Sequence, residues 1–256
     1  MSAIASRPPA RPHEAPAASP GGTALPMAPM VAAGDTTLAA LQKVPLFAGV
    51  PAEALARLAD QARWSAHPAG SVVLDFGDVP GEVFFITQGA VRIVVRTAQG
   101  DEAVLNELGP GDYFGELAAI DGLPRSANVT TLLRCHLCAV PGEAFLDFAL
   151  HTPMVSRRLL HQLATRLRSK DERLLEHVAL PVRQRLIAEM LRLSRERGGS
   201  SERVISPPPP QHILAARIGA RRETVSRELA RMSREGLLTV GRRAIVLHRP
   251  QALGAE

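Results

Sequence analysis

Two stretches of this 256-residue chain hold residue types that can do chemistry at a useful spacing. The first runs Gly111-Asp112-Tyr113-Phe114-Gly115-Glu116-Leu117-Ala118-Ala119-Ile120 and resumes at Pro124-Arg125-Ser126-Ala127. It has the outline of an anion site. Gly115 allows a ligand close to the backbone. Residues 116–120 can form one helical turn whose unpaired N–H groups face a phosphate. Arg125 can hold that phosphate through two N–H groups. Glu116 would repel a phosphate, so it is left to accept a hydrogen bond from a neutral hydroxyl. The bland alternative is a barrel loop with a surface ion pair, and for a lone Gly-Glu that reading would win.

The second stretch is Arg221-Arg222-Glu223-Thr224-Val225-Ser226-Arg227-Glu228-Leu229-Ala230-Arg231-Met232. As a helix it places Val225, Leu229 and Met232 on an inner face and Arg222, Glu223, Ser226 and Arg227 on an outer one. Arginine can bind guanine O6 and N7 together, and glutamate can accept from cytosine N4. Arg221, Arg231, Arg242 and Arg243 suit phosphates, which set affinity and not sequence.

Other constellations are poor. Cys135-His136-Leu137-Cys138 invites a metal, but on a strand positions three apart point to opposite faces, and no second pair completes four ligands. The histidines form no ligand or triad pattern. No nucleophile–base pair is visible, so an enzyme is not expected, nor is a metal.

Composition agrees with a nucleic-acid partner. Residues 1–150 hold 9 Lys and Arg against 15 Asp and Glu, whereas residues 151–256 hold 21 against 10. A basic second half points to double-stranded DNA or another anionic surface. No apolar run approaches the ~18 residues that a membrane span needs. With no apolar segment of signal-peptide type at the N-terminus, a cytoplasmic protein without membrane contact is expected.

The elements that must position these residues can be read in order. Residues 1–36 form an Ala/Pro-rich tail with no apolar period, expected to be disordered. Short helices are expected around Val44-Pro45-Leu46-Phe47. From Trp64 to Val140, β-rich runs at 71–74, 83–87, 91–97, 103–108, 127–132 and 135–140 alternate with turns such as Gln99-Gly100-Asp101, which suggests a barrel or jelly roll. Thr152-Pro153 caps and starts a long helix that Leu180-Pro181 ends. Its Leu160, Leu163, Leu167 and Leu174 recur as an a/d seam that would pack on a second copy. Gln211–Arg217, a turn at Gly219-Ala220 and the Arg221–Met232 helix have helix-turn-helix spacing. Val240–Ile245 reads as a hairpin wing.

The first stretch resembles the phosphate-binding cassette of cyclic-nucleotide-binding domains, and Phe76-Gly77-Asp78 and Phe84–Gly89 look like that family's earlier strands. The string Arg222-Glu223-Thr224-Val225-Ser226-Arg227 resembles the recognition helix of the Crp/Fnr family of bacterial transcription regulators. Cassette, leucine helix and helix-turn-helix in this order resemble that family over about residues 40–248, closest to its cyclic-AMP receptor branch. The resemblance implies an α+β fold: a jelly-roll (β-roll) sensor over 37–151, a dimerisation helix over 152–180, a winged helix-turn-helix over 181–249 and a tail over 250–256. It implies a cyclic nucleotide, cyclic AMP or cyclic GMP, as effector. Glu116 would hold the ribose 2′-hydroxyl and Arg125 and Ser126 the phosphate, with Gly115 and Leu117 as backbone contacts. Lys170 and Asp171 stand where the receptor branch has a Thr-Ser pair against the base; Lys170 also falls on a d position of the seam. A homodimer on an inverted repeat of TGTGA-like half-sites, and RNA polymerase as partner of an activator, are further implied. Ser226 is the Fnr-like choice where the receptor branch has Gly. Pro207–Pro210 and Gln211 replace the usual capped start of the first reader helix. Two readings stay open beside this one: the same DNA binder with a vestigial sensor, and a cyclic-nucleotide module with protein partners.

Overall fold

A computed structural model describes residues 34–96, 102–197, 201–248 and 250. Most of the expected tail, the Gln99-Gly100-Asp101 turn and residues 251–256 lie outside the described residues. Helix α1 (Gly34–Gln42), a short turn of helix over Pro45–Phe47 and α2 (Ala52–Ala59) lead into β1 (Arg63–His67), β2 (Val72–Leu74), β3 (Glu82–Gln88), β4 (Val91–Arg96), β5 (Glu102–Leu108) and β6 (Tyr113–Phe114). The short α3 (Glu116–Asp121) precedes β7 (Asn128–Thr131), β8 (Cys135–Pro141), α4 (Gly142–His151) and α5 (Pro153–Ala179). There follow α6 (Val182–Leu193), β9 (Arg195–Glu196), β10 (Arg203–Ile205), α7 (Gln211–Ile218), α8 (Arg222–Arg234), β11 (Leu238–Val240) and β12 (Ile245–Leu247).

The first eight strands form two antiparallel sheets, β1-β8-β3-β6 and β2-β7-β4-β5. The run Val83-Phe84-Phe85-Ile86 shows why they stack. Successive strand residues point to opposite faces. Phe84 and Ile86 enter the core between the sheets with Leu137, Val91, Leu108 and Val129. Val83 and Phe85 enter a second core under α1, α2, α4 and the start of α5, with Phe47, Leu55, Phe145 and Val155. β8 alternates likewise: Cys135 and Leu137 face the first core and Cys138 and Val140 the second. The two thiols therefore point apart, as their spacing on a strand requires, and both are buried.

Two of the first eight strands fall outside the expected runs. β1 has no strand-rich composition; its register on β8, from Arg63↔Ala139 to His67↔Cys135, makes it a strand. β6 is two residues long and pairs Phe84↔Phe114 and Phe85↔Tyr113, so tertiary pairing again overrides local pattern. Thr152 makes no side-chain cap at the start of α5. It also closes α4, and this corner instead uses its carbonyl, which accepts from the Val155 and Ser156 N–H groups at 2.8 and 3.1 Å. Arg221, expected inside the second reader helix, is extended and precedes α8.

In the C-terminal part α6, α7 and α8 pack with a sheet of order β11-β12-β10-β9 around Leu186, Met190, Leu214, Val225, Leu229 and Met232. The wing hairpin pairs Leu238↔Leu247 through Val240↔Ile245, starting two residues before the expected one. Among the described residues no helix is long and apolar enough to cross a membrane.

Candidate functional site

β6 delivers the chain to Gly115, whose φ of 87° is left-handed. A Cβ there would stand 2.8 Å from Arg125 Nη1 and 2.9 Å from the Glu82 carbonyl, so no side chain fits. Arg125 is buried. Its Nη1 donates to the Gly115 carbonyl and its Nη2 to the Glu82 carbonyl, each at 2.8 Å. The Arg125 backbone is also pinned: its N–H donates to Asp78 O at 2.8 Å, and the Gly77 N–H donates to Arg125 O at 2.9 Å. These two side-chain bonds use two of the five guanidinium N–H groups, which holds the fork in place for an anion.

Glu116 opens α3 and is buried. Its carboxylate pairs with the Arg166 guanidinium of α5. Burial pushes this carboxyl above its ordinary range, opposed by the Arg166 charge and, less, by Arg125. The sequence left Glu116 waiting for a neutral hydroxyl; the cationic partner was not anticipated. Arg166 also lies 5.1 Å from the centroid of the Tyr113 ring, and the Tyr113 hydroxyl bonds Gln162. Burial raises the Tyr113 phenol to about 12. Together these contacts fix α5 against the cassette.

Between cassette, α5 and the β4–β5 hairpin lies a cavity of about 700 Å³. Gly115, Glu116, Leu117, Arg125 and Ser126 all line it. From α5 come Leu163, Thr165, Arg166, Leu167, Ser169, Lys170 and Arg173, and from β5 come Leu105 and Asn106. Asp171, expected at the base end, does not line it in the single chain and is exposed. The helix period explains this. Residues 163, 166, 170 and 173 recur at three and four, and so share the inward face. Lys170 thus lines the cavity, as does Leu167 of the leucine row. Arg166 was legible only as one step of that inward period. Asn106 carried no signal, because its placement depends on a bulge.

The outer face of α5 is apolar and uncovered in the single chain. Leu160, Leu167 and Leu174, seven apart, are 67%, 60% and 64% exposed, and Leu175 and Val178 join them. Leu163 leaves the expected seam; it packs partly against the sensor core.

On α8, Val225, Leu229 and Met232 are buried and Arg222, Glu223, Ser226 and Arg227 are exposed. Arg221 before the helix and Arg242 and Arg243 on the wing turn are exposed too. Arg231 pairs with Glu235 at 3.0 Å. Helix α7 starts after Pro210 without a side-chain cap, in keeping with the Pro-rich stretch before it.

The two halves touch. Val94 and Val104 of the β4–β5 hairpin pack on Ile213 and Ala216 of α7. Beside them Arg217 of α7 reaches Glu107 of β5 at 2.9 Å and Glu189 of α6 at 3.1 Å. Glu189 also meets Arg192 at 3.0 Å and Arg173 of α5 at 3.8 Å.

Comparison with known proteins fits this architecture. The profile of the cyclic nucleotide-binding domain matches residues 65–151, and that of the Crp-like helix-turn-helix domain matches residues 196–256. The chain is 30% identical over 210 residues to the CRP-like cAMP-activated global transcriptional regulator of Mycobacterium tuberculosis, covering 81% of this chain and 93% of that one. It is 31% identical over 197 residues to the cyclic AMP receptor protein of Thermus thermophilus, covering 77% and 89%. The structure of FixK2 from Bradyrhizobium japonicum superposes with a TM-score of 0.64 at 22% identity, over 76% of this chain and 96% of that one, a likeness of fold.

Proposed function

The chain belongs to the Crp/Fnr family of transcription regulators, and from that premise we propose that it is a cytoplasmic homodimer whose DNA binding is controlled by a cyclic purine nucleotide. As a family member it is a DNA-binding regulator with a cyclic-nucleotide-binding domain, and its relatives are not enzymes. The finer reading assigns residues 37–151 to the sensor, 152–180 to the dimer helix and 181–249 to the DNA reader. The nucleotide phosphate would meet Arg125, Ser126 and the N–H groups at Gly115 and Leu117, and the ribose would meet Glu116. Arg222, Glu223, Ser226 and Arg227 would read an inverted repeat of TGTGA-like half-sites, with Arg221, Arg242 and Arg243 on phosphates. RNA polymerase would be the further partner of an activator. The named relatives are called cAMP-activated or cyclic AMP receptor proteins; cyclic AMP and cyclic GMP are both candidates here.

One observation carries this reading: α5 is at once a wall of the cavity and the bearer of an uncovered leucine row. A ligand against its inner face and a second copy against its outer face would act on one rigid element. The vestigial-sensor reading draws on a different fact, that the Glu116 carboxylate and two Arg125 N–H groups already have partners within the chain. Calorimetric titration with cyclic AMP and cyclic GMP separates the two readings. Binding of neither would remove the sensor reading and leave the vestigial one. Selection from random DNA tests the reader, which fails if the enriched pool has no two-fold repeat.

A further inference from the structure

The β4–β5 ladder carries a bulge. Ile93 pairs with Asn106 but the next residue, Val94, pairs with Val104, so Leu105 is extra on β5. A bulge places two residues of one strand against one of its partner and re-aims side chains. Here Leu105 and Asn106, adjacent in sequence, both line the cavity, while Val104 and Glu107 on either side turn to α7. The Asn106 side chain is oriented as well. Its Oδ1 accepts the Glu107 N–H at 2.9 Å, so the carbonyl end is engaged and the amide NH₂ remains as a donor.

The α5 wall beyond the Glu116–Arg166 pair has the same character. Ser169, Lys170 and Arg173 follow Arg166 along the inward face. Lys170 is an ammonium with three donors and no acceptor, and Arg173 is donor-only. Arg173 leans on Glu189, at 3.8 Å, and Lys170 is the exposed cation of this end. Thr165 lies one turn back toward Arg166 and donates its hydroxyl to His161 O at 2.9 Å. Glu116 is the carboxylate among the cavity-lining residues, and Arg166 engages it. The end of the cavity away from the cassette is therefore donor-rich.

We infer that this end selects guanine over adenine, with Lys170 as the residue that determines the choice and Asn106 supporting it. The inference rests on the nucleotide-sensor reading above and deepens it. Guanine presents two acceptors, O6 and N7, on one edge; adenine presents N7 beside an N6 amine, itself a donor. An ammonium meets attraction at both guanine atoms but faces a donor at the adenine amine. A general attraction of Lys170 for the phosphate would favour both nucleotides alike, so the ratio of affinities isolates the base.

The test is calorimetry of the full-length protein with cyclic GMP and cyclic AMP, repeated for Lys170→Met, Lys170→Glu and Asn106→Asp. Cyclic GMP should bind at least tenfold tighter to the wild type, a difference of about 1.4 kcal/mol. Lys170→Met should bring the ratio near one. Lys170→Glu, which supplies an acceptor for the amine, should turn it toward cyclic AMP, and Asn106→Asp should reduce it. Lys170 is exposed, so these variants should fold, and circular dichroism checks that they do. Equal or tighter cyclic AMP binding by the wild type overturns the inference while the sensor reading stands. An unchanged ratio in Lys170→Met overturns the assignment to this residue. Binding of neither nucleotide removes the sensor reading and this inference with it.

Discussion

Glu189→Gln should weaken the native state by about 3 kcal/mol, the low end of what breaking a buried ion pair removes. The Glu189 side chain is 1% exposed and faces guanidinium groups from three helices: Arg217 at 3.1 Å, Arg192 at 3.0 Å and Arg173 at 3.8 Å. Arg217 is 6% exposed, and its Nε has no hydrogen-bond partner. Loss of the Glu189 charge therefore leaves a buried cation with one carboxylate in place of two. The low end applies because the other partners are not stranded. Arg217 keeps Glu107 at 2.9 Å, and Arg192 keeps Glu176 at 2.7 Å. For a chain of this size such a loss lowers the melting temperature by roughly 6–12 °C. The control is Glu107→Gln. Glu107 is 33% exposed, and solvent screening should hold the loss near ~1 kcal/mol. Urea unfolding followed by far-ultraviolet circular dichroism reads the helices, and the fluorescence of Trp64, the sole tryptophan, reads the sensor. A loss below about 1 kcal/mol for Glu189→Gln, or a larger one for Glu107→Gln, would refute the reasoning that burial sets the size of the effect.

Four further outcomes are expected. Leu174→Asp puts a charge on the outer row of α5, and sedimentation should find one-chain mass at micromolar concentration where the wild type gives two; a one-chain wild type would sink the dimer reading. Arg222→Ala should weaken the selected DNA site by about 1–3 kcal/mol and relax one position, while Arg243→Ala should weaken all sequences alike in a salt titration. Burial raises the Glu116 carboxyl, so the folded chain keeps that proton to higher pH than the unfolded one. This contribution is full below the ordinary carboxylate pKa and lost as pH rises through the folded one. The stability of wild type minus Glu116→Gln should therefore fall as pH rises from 4, and a rise would contradict the shift. Burial pushes the Cys138 thiol up to about 12, so alkylation of Cys138 at pH 8 should wait for unfolding; fast labelling of the native protein would contradict its burial.

What the sequence made legible is what depends on local pattern. The cassette could be read because left-handed Gly115, the helix N-terminus at Glu116 and Arg125 lie within eleven residues of one another, and their spacing is itself the geometry. The reader helix could be read because Val225, Leu229 and Met232 repeat at three and four on a buried face. Long-range contacts were hidden. β1 exists through its register with a strand more than sixty residues later, and β6 through two pairs with β3. The seam was half legible: a period of seven finds Leu160, Leu167 and Leu174, but only the packed sensor shows that Leu163 turns inward.

The β4–β5 hairpin shows most clearly why the rest could not be read. Without its bulge, strict alternation along β5 would put Asn106 and Val104 on one face and Leu105 and Glu107 on the other. Asn106 and Leu105 could not then both line the cavity while Val104 and Glu107 reach α7. One extra residue makes β5 two-sided, with a ligand wall on one side and a contact to the first DNA-reader helix on the other. The coupling this permits is short: Asn106 and Glu107 share a peptide bond, and Glu107 holds Arg217. Nucleotide binding that shifts Asn106 must therefore load or relieve the Glu107–Arg217 pair, whichever direction the shift takes. It follows that Glu107→Gln, the milder of the two substitutions for stability, should change the ratio of DNA affinities with and without nucleotide. Fluorescence anisotropy on the selected site measures that ratio. A wild-type ratio in Glu107→Gln would show that the signal does not pass through this ion pair.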